Sequence, residues 1–357
     1  MENKIKNIIA KFVKIPSNTE EVIFKFEKLK SGHINDTFKI EISDALNPPK
    51  SYILQNINTN IFIEPLKIMH NIETVATHLK SKDYTKQILS CLKTLDGNFL
   101  YTDEKNRVWR VLPFIENTHS VLKVENENQA FEAAKAFGEY ARFLSDLEVS
   151  KIETIIPNFH NADFRIQQFN DALQNPNSQL RQQIARNELI IIEKYISKFK
   201  NIQLNIPLRI THNDTKISNI LFDKTTQKAT CIIDLDTLQP STILSDFGDM
   251  VRAYTPQYDE DFKDFEAIEM RFSYFEALLA GFMSELKNIL TKEEKAHLIY
   301  GASRTVFVQA LRFLTDYLNH DIYYKTDYDD HNLVRTKNQL ALFKSIEKQA
   351  RKMQKLV

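Results

Sequence analysis

Apolar residues alternate with polar ones in three early runs, Val22 to Leu29, Thr37 to Ile42 and Ser51 to Ile57. Phe24 and Phe26, then Phe38, Ile40 and Ile42, recur at the strand period, which predicts an antiparallel sheet with one covered face. Two further runs, Asn98 to Thr102 and Arg107 to Leu112, bring the predicted sheet to five strands. Helical periods flank them. Ile5, Ile8, Ile9 and Phe12 mark an amphipathic helix at the start, and Leu66, Met69, Ile72, Val75, Ala76 and Leu79 mark another over Pro65 to Ser81. Beyond Pro113 the pattern turns helical: Asn128 to Leu147, Ser178 to Lys200, Phe262 to Leu290, and Asn332 to Lys355. The capping box Thr291-Lys-Glu-Glu294 opens another helix that runs to about Leu318. These periods predict an α+β chain with two lobes, a small sheet lobe over 1–113 and a larger helical lobe over 114–357.

The most informative stretch interrupts the helical half. Asn219-Ile-Leu-Phe-Asp223 and Ala229-Thr-Cys-Ile-Ile-Asp234 read as two short strands joined by the polar run Lys224 to Lys228. A turn centred between Thr226 and Gln227 sets Asn219 against Asp234 at the open end of the hairpin. An amide oxygen and a carboxylate so placed suit Mg²⁺, which is usually held by one or two protein groups together with substrate phosphates. Asp214 lies on the loop leading into this hairpin, where a carboxylate accepts the proton of an attacking hydroxyl, and Lys216 is placed to face the phosphoryl group in transit. His212-x-Asp214-x-x-x-x-Asn219 has the spacing of the kinase catalytic loop. Asp246-Phe-Gly248 spells the kinase metal-binding tripeptide but falls beyond the hairpin. Asp246 is therefore expected to cap a helix beginning near Asp249, or to brace the catalytic loop.

The central motifs His212-Asn-Asp-Thr-Lys-Ile-Ser-Asn219, Ile232-Ile-Asp-Leu-Asp236 and Asp246-Phe-Gly-Asp-Met-Val-Arg252 resemble those of the aminoglycoside phosphotransferase and choline kinase-like superfamily. Within it the chain is most similar to the N-acetylhexosamine 1-kinases, most strongly over 211–252 and 312–335. The resemblance implies a two-lobed, protein-kinase-like fold, with ATP and Mg²⁺ as cofactors and a small-molecule sugar as acceptor. It makes the Ser31 to Asp36 turn, with Gly32, the phosphate-covering loop, although a plain hairpin turn reads equally well. It places His33, Arg312 and Tyr317 at the sugar, with Arg335 a weaker candidate, and the Ile156 to Asn161 loop on the acceptor side, although the residues themselves read better as an ordinary connection. Arg312 has a structural alternative, an ion pair with Asp316 one turn on. Glu73 takes the part of the kinase ion-pair glutamate or is simply solvated, and the Pro113 to Asn117 hinge, with Phe114, offers backbone to adenine. The third strand departs from the kinase pattern: Gln55 stands where a phosphate-pairing lysine is expected.

Composition narrows the field. Lys plus Arg and Asp plus Glu both number 47, so a broad nucleic-acid surface is not expected. Six glycines include no phosphate-loop or dinucleotide-loop pattern. Cys91 and Cys231 alone form neither a disulfide framework nor a zinc cluster, and no apolar run reaches membrane-spanning length. The N-terminus lacks the features of a signal peptide, so a soluble cytoplasmic protein is expected. The oligomeric state stays open, a monomer being one possibility. The function these features predict is transfer of the γ-phosphoryl of ATP to the anomeric hydroxyl of an N-acetylhexosamine, in carbohydrate metabolism. The alternatives are another hydroxyl acceptor (choline, homoserine or an aminoglycoside) and a silent kinase fold that only binds.

Overall fold

The computed structural model describes residues 2–15, 23–29, 34–43 and 48–357. Two compact units are distinguished. The first comprises 1–119, 146–156 and 221–239, and the second comprises 120–145, 157–220 and 240–357.

In the first unit the predicted sheet forms from β1 (Ile23–Leu29), β2 (Asp36–Ser43), β3 (Lys50–Ile57), β4 (Tyr101–Thr102) and β5 (Val108–Pro113), in the order β1-β2-β3-β5-β4 and antiparallel throughout. Phe38, Ile40 and Ile42 of β2, Leu54 of β3, and Trp109 and Val111 of β5 share one face. Ile5, Ile8, Ile9 and Phe12 from α1 (Glu2–Ile9) and the turn after it close over that face. Each such side chain contributes about 1.5–3 kcal/mol of burial, so the amphipathic first helix is a structural lid on the sheet. The second helix, α2 (Pro65–Lys80), buries Ile68, Met69, Ile72, Val75, Ala76 and Leu79.

The second unit is built on helices: α3 (Glu127–Phe143), α4 (Ala162–Gln174), α5 (Gln179–Ile184), α6 (Arg186–Ile196), α7 (Ile243–Tyr254), α8 (Phe272–Leu286), α9 (Lys292–Ala296), α10 (Leu298–Leu318) and α11 (His331–Gln354). Here α3 packs along α8, and α10 packs against α4, α7 and α11. The α7–α10 crossing is close. A Cβ on Gly248 would stand 2.7 Å from the Gly301 carbonyl oxygen, and one on Gly301 would stand 2.8 Å from Leu244 Cβ. Glycine at both positions lets the two backbones meet.

Several helix boundaries differ from the pattern, each for a local reason. The run over 178–200 breaks at Ala185, where the backbone leaves the helical region. The expected helix from Phe262 starts only at Phe272, because side chains of α11 satisfy the preceding backbone: Asn338 Nδ2 donates to the Asp259 and Phe262 carbonyls, and Ser345 Oγ accepts from Met270 N. The capping box forms as predicted, Thr291 Oγ1 accepting from Glu294 N while Glu294 accepts from Thr291 N, but the helix is interrupted at His297. Helix α4 was not anticipated. Its signal is Asn161 as N-cap, accepting from Phe164 N, followed by buried Ile166, Phe169 and Ala172. Among the described residues no helix is long and apolar enough to cross a membrane.

Candidate active site

The loop from His212 to Asn219 belongs to the second unit and is held almost entirely through its backbone. Asp246, in the first turn of α7, accepts from His212 N at 3.0 Å and from Asn213 N at 2.7 Å with its two carboxylate oxygens. Asp249, one turn on, accepts from Thr215 N at 2.7 Å. The Tyr254 hydroxyl, at the end of the same helix, donates to the Thr215 carbonyl at 2.6 Å. One face of α7 thus grips the loop at His212, Asn213 and Thr215. Bonds from N–H groups to buried carboxylates are worth about 1.5–3 kcal/mol each. This grip maintains Asn213 in the left-handed region, φ 64°, which asparagine tolerates better than most residues.

The bracing role expected for Asp246 is therefore present, whereas the capping role is not. The N-cap of α7 is Thr242, and the helix begins six residues before Asp249. Burial pushes the Asp246 carboxyl up to about 6, opposed by His212 and by the two N–H bonds from the loop. Phe247 and Gly248 complete the tripeptide as core packing residues.

Asp214 is half-buried, and its Oδ2 accepts from Lys216 Nζ at 2.8 Å. Burial raises its pKa, but Lys216, then His212 and Arg252, more than offset this, so the carboxyl lies below its ordinary range. Arg252 is itself paired with Asp249 at 2.7 Å and with Glu260. His212 Nδ1 accepts from Asp214 N at 3.3 Å. Asn219 is buried, and its Nδ2 donates to the Asp214 carbonyl at 2.8 Å. With the amide nitrogen committed to the loop, the Asn219 oxygen is the atom turned away from it. The structure thus joins Asp214, Lys216 and Asn219 in one loop, as the spacing predicts.

Asp234 lies in the first unit, with Gln55, Glu73 and Phe114. The hairpin of Ile220–Asp223 and Ala229–Ile232 forms, but its turn differs from the expected one. Asp223 Oδ1 accepts from Thr225 N and Thr226 N, and Asp223 N donates to the Lys228 carbonyl. This capped turn sets Asp223 against Lys228, a register two residues from the expected one, so the direct pairing of Asn219 with Asp234 does not follow from it. A shift of two preserves which side chains share a face. Past the hairpin Asp234 turns left-handed, φ 60°, and its half-buried carboxylate precedes the short turn Leu235–Thr237.

Behind that turn sits a residue that the sequence reading overlooked. Arg110 on β5 is opposite Gln55 in the sheet register. Its Nε donates to Gln55 Oε1 at 2.9 Å, and Gln55 Nε2 donates to Thr37 Oγ1. Its Nη1 lies 2.6 Å from Asp236 Oδ1, a contact close enough for an ion pair though not aligned as a hydrogen bond. Both side chains are only 2 % exposed. Burial depresses the Arg110 pKa, and Asp236, Cys91 and Asp234 together reverse this and raise it. Asp236 Oδ2 also accepts from Asn35 Nδ2 at 2.7 Å. A fixed cation thus stands on the neighbouring strand beside Gln55, at the position where a lysine was missed. Its only signal was a charged residue inside the apolar run Val108-Trp-Arg-Val-Leu112.

The remaining candidates separate. Glu73 Oε1 accepts from Cys91 N at 3.0 Å, and Phe114 is half-buried with Lys39 Nζ 4.2 Å from its ring centroid. Gly32 and His33 lie outside the described residues. Arg312 does not pair with Asp316, which accepts instead from Tyr323 N, Tyr324 N and Asn332 Nδ2. Tyr317 is fully buried and donates its hydroxyl to Asp330 at 2.7 Å, so it offers no open surface to a ligand. Arg335 is tied to Asp261, the Lys325 carbonyl and Asn332.

Comparison with known proteins supports the class that this loop suggests. The phosphotransferase enzyme family profile (APH) matches residues 25–272. An amicoumacin kinase solved with AMP-PNP and Ca²⁺ superposes with a TM-score of 0.58 at 14 % identity, covering 95 % of this chain and 93 % of that one. A spectinomycin phosphotransferase with ADP and spectinomycin gives 0.60 at 11 % identity, covering 97 % and 98 %. Choline kinase from Cryptosporidium parvum Iowa II gives 0.57 at 12 % identity, covering 98 % and 97 %. The fold is therefore that of the kinase-like phosphotransferases, with an antiparallel five-stranded sheet followed by a helical part. The chain belongs to the phosphotransferase enzyme family, the aminoglycoside phosphotransferase and choline kinase-like group, and is a kinase of that group.

Proposed function

We propose that the protein transfers the γ-phosphoryl of ATP to the anomeric hydroxyl of an N-acetylhexosamine. The functional lobes in this reading are 1–113 for nucleotide and 114–357 for catalysis and acceptor. The observation that carries the chemistry is the braced loop, in which Asp214 keeps a charged, half-buried carboxylate beside Lys216. With Oδ2 engaged by Lys216, Oδ1 accepts the proton of the acceptor hydroxyl as it attacks, and Lys216 offsets charge on the phosphoryl oxygens.

Asn219 and Asp234 suit Mg²⁺ by the chemistry of their donors, an amide oxygen turned from its loop and a half-buried carboxylate. Among the described residues no three His, Cys, Asp or Glu side chains form a metal-binding group. Mg²⁺ does not require one, since nucleotide phosphates and water complete its shell. The bound nucleotide and cation supply the phosphoryl group and stabilise its charge. Arg110 fits a supporting part here, fixing Asp236 and with it the left-handed turn at Asp234. Gly32, Gln55, Glu73 and Phe114 complete the proposed nucleotide side, and His33 and Arg312 the proposed sugar side.

The solved relatives act on other acceptors: amicoumacin, spectinomycin and choline by their names. Cationic acceptors are disfavoured here because, among the described residues, Arg312 forms no ion pair with a carboxylate. An acceptor panel in a coupled ADP-release assay tests the assignment. Turnover of N-acetylglucosamine or N-acetylgalactosamine is expected to exceed that of choline, homoserine and kanamycin. Turnover confined to the cationic acceptors would refute it.

A further inference from the structure

Arg165 and Arg312 of the second unit lie about the Phe159–His160 pair, and the field of Arg304 also reaches His160. Arg165 comes from α4, and Arg304 and Arg312 come from α10, against which α4 packs. Arg165 Nη2 donates to the Phe159 carbonyl and Nη1 to Gln168 Oε1, while its Nε is buried without a partner. Arg312 Nη1 donates to Gln309 Oε1, and its guanidinium lies 5.5, 5.9 and 5.6 Å from the ring centroids of Phe159, Tyr323 and Tyr324. Among the described residues, none of the three forms an ion pair with an aspartate or glutamate. Asp316, the acid nearest Arg312 in sequence on α10, is occupied by two backbone N–H groups and Asn332.

The charges reinforce one another's cost. Burial, then the fields of Arg312, Arg304 and Arg165, hold the His160 imidazole down to about 3, although its bond to the Asn213 carbonyl favours the charged form. Burial and Arg312 lower Arg165 to about 10, and burial lowers Arg304. His160 is therefore neutral and serves as a donor: its Nε2 lies 3.2 Å from the carbonyl of Asn213, the residue before Asp214. Like charges in a partly buried site are unfavourable unless a counter-charge joins them. The planar guanidinium fork matches a carboxylate or a tetrahedral oxyanion. The cluster is thus a pre-formed, aromatic-walled anion site linked by one hydrogen bond to the catalytic loop.

We infer that Arg165 and Arg312 receive an anionic substituent of the acceptor, a carboxylate or sulfate carried by the sugar. This deepens the sugar-kinase reading above and rests on it for the identity of the acceptor. Within that reading an anionic N-acetylhexosamine is preferred to the neutral sugar, because a neutral ligand would leave the arginine charges unbalanced.

Matched sugar pairs test it: glucose with glucuronate, galactose with galacturonate, and N-acetylglucosamine with its 6-sulfate. In the ADP-release assay the anionic member of at least one pair is expected to have a kcat/KM about tenfold or more above its neutral partner. The carboxylate and sulfate arms show which group is preferred. The ratio is expected to collapse in Arg165→Gln and Arg312→Gln. In parallel, without nucleotide, the preferred anionic sugar should raise the melting temperature of the wild-type protein and not of the variants. Equal or better turnover of the neutral sugars, with no thermal shift from any anion, would overturn the inference and leave the sugar-kinase reading standing. An arginine-dependent shift with no turnover of any sugar would support the anion site and overturn the sugar-kinase reading instead.

Discussion

Asp214→Ala is expected to lower the kcat of phosphoryl transfer by about 10²–10⁴-fold, the range for loss of a positioned base, with the melting temperature little changed. The two halves of this expectation have separate causes. The loop is pinned through its backbone by Asp246, Asp249, Tyr254 and Asn219, none of which bonds the Asp214 carboxylate. The carboxylate itself bonds Lys216, and removing it leaves the scaffold intact. Because Lys216, His212 and Arg252 outweigh the effect of burial, Asp214 stays ionised to lower pH than an ordinary carboxylate. Activity that depends on the ionised form is lost as pH falls through this lowered pKa. The acid limb of the kcat/KM profile should accordingly lie below the usual carboxylate range, and Lys216→Met should move it upward. Measuring both profiles under identical conditions checks the direction.

Arg110→Met is expected to destabilise the protein by about 3–5 kcal/mol, because it leaves the Asp236 carboxylate buried without its cation. Asp236→Leu should cost a similar amount by stranding Arg110. The double variant Arg110→Met with Asp236→Leu should be closer to wild type than either single change, since a buried ion pair owes much of its apparent worth to the penalty for leaving one charge alone. Urea denaturation of the four proteins gives the coupling energy. Additive losses would mean that Arg110 acts mainly through Gln55, with Asp236 held by Asn35 alone.

The sequence was informative where chemistry coincides with periodicity. The alternation of Phe38, Ile40 and Ile42 defined a strand, and the lid formed by Ile5, Ile8, Ile9 and Phe12 followed from their helical spacing. The spacing of His212, Asp214 and Asn219 placed three groups on one loop, because a short loop leaves little freedom. Contacts between distant segments were less visible. Nothing local in α7 says that Asp246 and Asp249 will each take loop N–H groups, although the tripeptide raised bracing as one option. The Arg110–Asp236 pair links positions whose proximity only strand order reveals. The hairpin register slipped by two because the Asp223 side chain chose the turn, a preference that apolar alternation does not encode. Arg312 stood out in the sequence as a charge on an apolar segment, but its companion Arg165 needed the packing of α4 on α10 to be seen beside it.

The proposed chemistry assigns Mg²⁺ binding in the presence of nucleotide to Asn219 and to Asp234. Titration calorimetry of ATP, with and without Mg²⁺, on wild-type protein and on Asn219→Ala and Asp234→Ala addresses this most directly. The predicted result is that Mg²⁺ tightens ATP binding to the wild type, and that each variant loses this gain while keeping its metal-free affinity. Undiminished Mg²⁺ enhancement in both variants would contradict the assignment and remove the proposed phosphoryl-transfer centre.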